Sequence, residues 1–244
     1  MTQHKINDKK QTVSHFIKSC FPFIAAEGWP IIGVFSLTAA IFYASHWLIS
    51  SQTSPFLKQI AAICTGISVC LVLFSVWFFR DPDRIPESQN IKSVISSADG
   101  TVLKTETVND ARYGGMAEKV SIFMSPFNVH VNRAAVSGVI EKIEYFPGKF
   151  FSANLDKASE ENERNLIIIK TPQGQKVGLL QIAGFIARRI VCRVKTGSPL
   201  RAGERYGMIR FGSRMEIFLP PGSKIFVKSN KKVYAGKTVI GELL

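Results

Sequence analysis

The sequence predicts a mainly β protein, a lipoyl/biotinyl-like β-sandwich or barrel preceded by an N-terminal helical membrane hairpin. Three observations carry the β domain and the hairpin, and the tail from Lys224 to Leu243, which looks like the closing hairpin of a lipoyl/biotinyl-type β-sandwich, carries the finer reading. Two runs, Trp29 to Ile49 and Gln59 to Phe79, contain no charged residue, and each matches the roughly 20 residues a helix needs to cross a bilayer. Beyond residue 80 the apolar positions fall into short runs with strand-like alternation. Turn signals separate those runs at Asp99-Gly100, Gly114-Gly115, Pro147-Gly148, Pro172 to Gly174, Gly197 to Pro199 and Pro220 to Gly222, the punctuation of an all-β domain.

Taken in order, residues 1–27 begin polar and basic and turn mixed apolar through Phe16, Ile17, Phe21, Phe23 and Ile24, which reads as a cytoplasmic or interfacial segment. Residues 28–79 form the two-helix anchor, joined by a loop from Ser50 to Lys58. Trp29, Trp47 and Trp77 lie near the ends of the two runs, as an aromatic belt requires. Lys5, Lys9, Lys10 and Lys18 precede the first run and Arg80 and Arg84 follow the second, while the loop holds only Lys58. That bias places both ends in the cytoplasm. The first run starts too late and is too long for a cleaved signal peptide, and a second follows at once. The expected location is the cell (inner) membrane, with the C-terminal domain on its cytoplasmic face.

Residues 80–244 form the β-rich domain. Pro82 and Pro86 stop the second helix. Strands are expected at Ser93 to Ile95, Thr101 to Thr107, Lys119 to Met124, Val129 to Val131, Val139 to Tyr145 and Asn165 to Lys170. Further strands are expected at Gln175 to Ile182, Ile190 to Val194, Tyr206 to Phe218, Lys224 to Val227 and Thr238 to Leu243. Asn154 to Arg164 is polar and acidic enough for a surface loop or short helix.

The net charge of +13 implies an anionic partner. Residues 80–244 hold 26 basic against 16 acidic side chains, spread without a zinc-finger or RNA-binding aromatic pattern. With an anchor present, an anionic membrane surface is the more economical partner, and no nucleic acid is expected. Cys20, Cys64, Cys70 and Cys192 show no CxxC pairing and no histidine at ligand spacing, so neither a disulfide framework nor a metal site is expected.

One dipeptide resists the turn reading. Gly197-Ser198 precedes a proline and Gly222-Ser223 follows two, but Gly212-Ser213 sits inside the expected strand Tyr206 to Phe218. A strand glycine marks a bulge or a close approach to the backbone. It also leaves its carbonyl unhindered, so Ser213 Oγ can attack the Gly212 carbonyl and turn the amide into an ester. β-Elimination of that ester leaves a dehydroalanine that hydrolyses to a pyruvoyl group. A serine used this way needs a base, and the base profits from a carboxylate. His130, the sole histidine after the anchor, and Asp99 are the candidates; the plain alternatives are a satisfied core histidine and a turn-forming aspartate.

Four motifs in order then bear a likeness. Phe78-Phe79-Arg80-Asp81-Pro82, Ala98-Asp99-Gly100, Met124-Ser125-Pro126 with Asn128-Val129-His130-Val131-Asn132-Arg133, and Arg210-Phe211-Gly212-Ser213-Arg214 together resemble the short-form, pyruvoyl-dependent phosphatidylserine decarboxylases. Glu27-Gly28-Trp29-Pro30 fits too, and the similarity covers nearly the whole chain. It implies a proenzyme that cuts itself between Gly212 and Ser213 into a β chain of residues 1–212 and an α chain of residues 213–244. By the same likeness Asp99, His130 and Ser213 form the processing triad, with Asp99 orienting the imidazole and His130 taking the serine proton. The cofactor is then a covalent pyruvoyl group derived from Ser213. Its ketone forms a Schiff base with phosphatidylserine, releasing CO2 and phosphatidylethanolamine. In long-form relatives a second histidine follows the first, and here Arg133 holds that place. Two other readings stay open: a membrane-tethered lipoyl-like adaptor without catalysis, and a pyruvoyl decarboxylase of another amino-acid substrate. The sequence leaves homo-oligomerisation open.

Overall fold

The structure is a computed structural model that describes residues 23–49, 54–113, 115–152, 158–185, 189–210 and 213–244. It divides between Asp83 and Arg84 into two compact units. The expected interfacial segment falls largely on residues 1–22, outside the described residues.

The first unit is a helix pair. A short 3-10 turn, Ala26–Gly28, leads into α1 (Trp29–Leu48), which packs against α2 (Pro55–Phe78). A proline opens each helix, where its missing N–H removes no helical bond and its fixed φ suits the first turn. At 1.5 Å per residue the 20 and 24 residues reach about 30 and 36 Å. Both helices are long and apolar enough to cross a membrane. Their apolar side chains point outward, with Leu48 85%, Leu37 64% and Leu73 64% exposed, a surface that suits lipid better than water. The open end of the pair is closed by backbone bonds from Ala25 N–H to the Phe79 carbonyl at 2.7 Å and from Asp81 N–H to the Phe23 carbonyl at 2.6 Å. Gly28 lies flat under Phe79, where any Cβ would overlap the ring. The expected loop from Ser50 to Lys58 is shorter than predicted, because α2 begins at Pro55 and takes in Lys58.

The second unit is mainly β, as the sequence predicts, and its strands pair antiparallel. Its strands begin with β1 (Ser93–Ile95), β2 (Gly100–Asp110), β3 (Gly115–Met124), β4 (Val131–Arg133) and β5 (Gly138–Phe146). A one-turn helix α3 (Ala158–Glu161) precedes β6 (Arg164–Lys170) and β7 (Lys176–Ala183). Then follow β8 (Ile190–Cys192), β9 (Pro199–Leu200), β10 (Arg205–Ile209), β11 (Ser213–Leu219), β12 (Lys224–Ile225), β13 (Lys232–Val233) and β14 (Val239–Glu242). Eight strands in the order β13-β2-β3-β11-β7-β6-β5-β9 make a curled half-barrel. Two three-stranded sheets, β1-β14-β12 and β4-β10-β8, complete the unit.

Alternation along the strands separates two cores. On one face Val120, Ile122, Ile167, Ile169, Leu179 and Ile217 join residues of the small sheets such as Val94, Ile209 and Ile240. On the other face lie Tyr113, Leu166, Leu180, Ile182 and Phe218 with Ala158 of α3. Tyr113 stacks on Phe218 with ring centres 5.4 Å apart, and its hydroxyl lies where a Cβ on Gly178 would be. Burial pushes the Tyr113 phenol well above its ordinary range.

One expected strand is in fact two. Tyr206 to Phe218 does not run straight through: β10 pairs with β4 and β8, whereas β11 pairs with β3 and β7 in the large sheet. The chain changes sheets between Ile209 and Ser213, and Phe211 and Gly212 are outside the described residues. Ser213 is therefore no bulge in an edge strand. It is the first residue of a central strand, held on both sides.

Candidate functional site

The register places Ser213 opposite Met124 on β3 and Ala183 on β7. Its side chain is fully buried and its hydroxyl donates to the Met124 thioether at 3.3 Å. The same sulfur lies 3.8 Å from Asn132 Nδ2. From there a chain of buried amides runs across the sheet face: Gln181 Nε2 donates to Asn132 Oδ1 at 2.8 Å, and Asn165 Nδ2 donates to Gln181 Oε1 at 3.0 Å. Tyr206 completes the floor, its hydroxyl 3.8 Å from Met215 Sδ and 3.4 Å from Ser97 Oγ. Its burial pushes the phenol well above the usual range, so it stays a donor.

His130 is two residues before Asn132 and is also fully buried. Its carbonyl accepts from Ile209 N–H at 3.4 Å, just upstream of the crossover to Ser213. The ring is held by Nδ1, 2.9 Å from the Asn128 carbonyl. A carbonyl can only accept, so Nδ1 carries the hydrogen and Nε2 presents the lone pair. Asn128 is itself fixed, because its Oδ1 accepts from both the N–H and the hydroxyl of Ser125 at 2.8 Å.

Asp99 sits at the mouth of β2, one residue before Gly100. Its carboxylate is gripped by the Arg84 guanidinium through both oxygens, with Arg84 Nη2 to Oδ2 at 2.8 Å, and also accepts from Ala235 N–H at 2.8 Å. Arg84 Nη1 in turn donates to the Ala235 carbonyl at 2.9 Å. Asp99 and Ser213 thus lie at the same end of the large sheet, with the His130 carbonyl bonded just upstream of Ser213. Among the described residues the side chain of Asp99 bonds Arg84 and Ala235 and that of Ser213 bonds Met124, so the three are not joined directly as a hydrogen-bonded relay. Arg133, in the place of the second histidine, is buried and donates from Nη1 to the Gly203 carbonyl at 3.2 Å. It packs under Gly236, where a Cβ would overlap its side chain.

The opposite face of β11 carries charge. Arg214 and Glu216, each about 1% exposed, pair at 2.8 Å, and Ser121 and Ser159 donate to the same carboxylate oxygen at 3.3 and 2.8 Å. Both charges sit on β11 itself, so a slide would leave the pair intact; what it would break are its bonds to Ser121 on β3 and Ser159 on α3.

The comparisons with known proteins bear on the whole of this arrangement. A family model described as phosphatidylserine decarboxylase matches residues 71–241. The chain belongs to the phosphatidylserine decarboxylase family. It is 45% identical over 223 residues to a phosphatidylserine decarboxylase proenzyme of Burkholderia cenocepacia, a match covering 91% of this chain and 97% of that one. A proenzyme of the same name from Solidesulfovibrio magneticus is 45% identical over 219 residues, 90% of this chain and 95% of the relative. The family assignment thus takes in both the helix pair and the β unit.

Sequence reasoning did not single out Gln181 or Asn165, and it named Met124 only as part of a motif, not as the partner of Ser213. A signal for two of them was present: Gln181 interrupts Val177-Gly178-Leu179-Leu180 and Ile182-Ala183, and Asn165 opens Leu166 to Ile169. A lone amide in an otherwise apolar strand must find a partner when buried, and each finds the other.

Proposed function

We infer that this chain is a self-cleaving phosphatidylserine decarboxylase whose working group is made from Ser213. What carries the reading is family membership over nine-tenths of the chain, together with a buried serine at the first position of a central strand. After scission between Gly212 and Ser213, that strand stays paired on both sides. The new N-terminus of the α chain is therefore held in place.

The chain's own residues supply the cut. His130 Nε2 takes the Ser213 proton, oriented in this geometry by the Asn128 carbonyl, while Asp99 holds negative charge at the same sheet end in the grip of Arg84. Oγ adds to the Gly212 carbonyl and the peptide nitrogen leaves with a proton, giving an ester. Removal of the Ser213 α-proton then expels the Gly212 carboxylate. The resulting dehydroalanine tautomerises to an imine, which water hydrolyses to ketone and ammonia.

The residues present fit a pyruvoyl group at this position. On the side chain, turning the hydroxymethyl into a methyl removes a bond to a thioether, a weak acceptor, while the Ser213 nitrogen gives way to the ketone oxygen at the strand's first position. When present, such a group supplies an electron sink for loss of CO2 from an α-amino acid. The protein excludes water by burying the position, and Tyr206, Asn132 and Gln181 keep polar hydrogens within the same floor. The substrate remains in a bilayer, which gives the helix pair a purpose. We place that pair across the cell membrane with the β unit on the cytoplasmic side, from the lysine and arginine bias of the flanks.

Intact mass measurement of the purified protein tests the reading. Two chains are expected, the smaller beginning at residue 213 and lacking a free amino group. A single uncut chain with undiminished lipid decarboxylation overturns it.

A further inference from the structure

Ser213 lies next to Arg214, whose register row crosses most of the large sheet, and the loops leaving that end are unusual in what they expose. Along the row, Lys232 pairs with Thr101, Thr101 with Phe123, Phe123 with Arg214 and Arg214 with Ile182. Just past it, β3 runs into Ser125 to Asn128, β7 into Gly184 and Phe185, and β13 into the turn from Tyr234 to Lys237. Phe127 is 70% exposed, Phe185 72% and Tyr234 48%. Closed turns display two of these rings. Asn128 N–H bonds the Ser125 carbonyl at 3.0 Å, and Thr238 N–H bonds the Tyr234 carbonyl at 3.1 Å. Their exposure is therefore built into the backbone.

Cations surround the rings. Lys231, Lys232, Lys237 and Arg189 are exposed at this end. Two of the acids there are already neutralised, Glu161 by Lys149 at 2.9 Å and Asp99 by Arg84, which leaves Glu163 beside β6 and Glu87, whose carboxylate accepts from Val239 N–H at 3.3 Å and whose N–H bonds the Lys237 carbonyl at 3.0 Å. Residues 224–237 contain five lysines and no acid.

We propose that this end of the β unit is a docking face for an anionic bilayer. The three rings enter the headgroup boundary, and the lysines and arginine meet lipid phosphates. Aromatic rings flanked by cations are what such a boundary accepts. The face deepens the function proposed above and rests on it: a lipid whose acyl chains stay in the bilayer brings its amine to Ser213 only if this sheet end lies on the surface.

The test uses the full chain in nanodiscs of phosphatidylcholine alone or with phosphatidylglycerol, lipids without reactive amines. Lysines are acetylated by an active ester and the sites read by peptide mass spectrometry. Phosphatidylglycerol is expected to protect Lys232 and Lys237 about fivefold, with Lys170 at the far end of β6 unchanged. Protection should vanish at 1 M salt, where the screening length falls to about 3 Å, and should weaken in the Phe127→Ser/Phe185→Ser variant. Equal reactivity of Lys232 and Lys237 in both discs overturns the proposal. Equal protection of Lys170, or protection by a soluble oligonucleotide in neutral discs, also overturns it. The readout is independent of catalysis: an uncut, inactive chain with protected lysines refutes the proposed function alone, and an active chain without protection refutes the docking face alone.

Discussion

Ser213→Ala is expected to stay a single chain of 244 residues and to lose lipid decarboxylation by at least about 10^3-fold. The loss is chemical, since the substitution deletes only Oγ. That atom is buried and bonded to a thioether, so its removal costs less than about 1 kcal/mol of stability. The variant should therefore fold, and denaturing electrophoresis is expected to show one band where two are expected of the native protein. His130→Ala tests the base separately. Scission is expected to slow by about 10^2 to 10^4-fold, the usual worth of a positioned proton acceptor, and pulse-chase of the precursor measures it. Full-rate cleavage of the Ser213→Ala chain would falsify the assignment of the serine, and an unchanged rate in His130→Ala would remove the histidine from it.

The sequence made the architecture legible where a residue pattern has one physical meaning. Two charge-free runs admit few readings other than long apolar helices, and alternation between turn signals located nearly every long strand. It was least legible at Tyr206 to Phe218, because alternation persists through a change of sheet: β10 and β11 both bury Tyr206, Met208, Met215 and Ile217, whichever partners they pair with. The short strands β9 and β13, of two residues each, carry too little pattern to be seen. At the site, chemistry and likeness put forward Ser213, His130 and Asp99, and the structure places Asp99 and Ser213 at one end of the large sheet. The way Asp99 is spent was not, since it depends on Arg84, 15 positions earlier, and on Ala235, 136 positions later. No local signal reports pairings of that span. The Asn132–Gln181–Asn165 chain is likewise a product of three strands meeting.

Glu216→Leu is expected to destabilise the β unit by about 3–5 kcal/mol, because it takes the carboxylate from a guanidinium that has no water to turn to. Arg214 is about 1% exposed, and its Nη2 bonds Glu216 at 2.8 Å and Ser121 Oγ at 3.1 Å. Ser121 and Ser159 lose the same acceptor. In a unit of this size that corresponds to a fall in Tm of roughly 6–20 °C, read in the Ser213→Ala background so that scission does not confound melting. Arg214→Met/Glu216→Leu should recover most of the loss, since a buried pair replaced by apolar side chains of similar volume often costs little. The two variants then separate stability from register. If the bonds from the pair to Ser121 and Ser159 serve mainly to seat β11, the double variant will melt normally in the Ser213→Ala background yet cut slowly once Ser213 is restored. Seating the peptide bond before Ser213 against its base needs a strand that cannot slide, and apolar side chains tolerate sliding where charges do not.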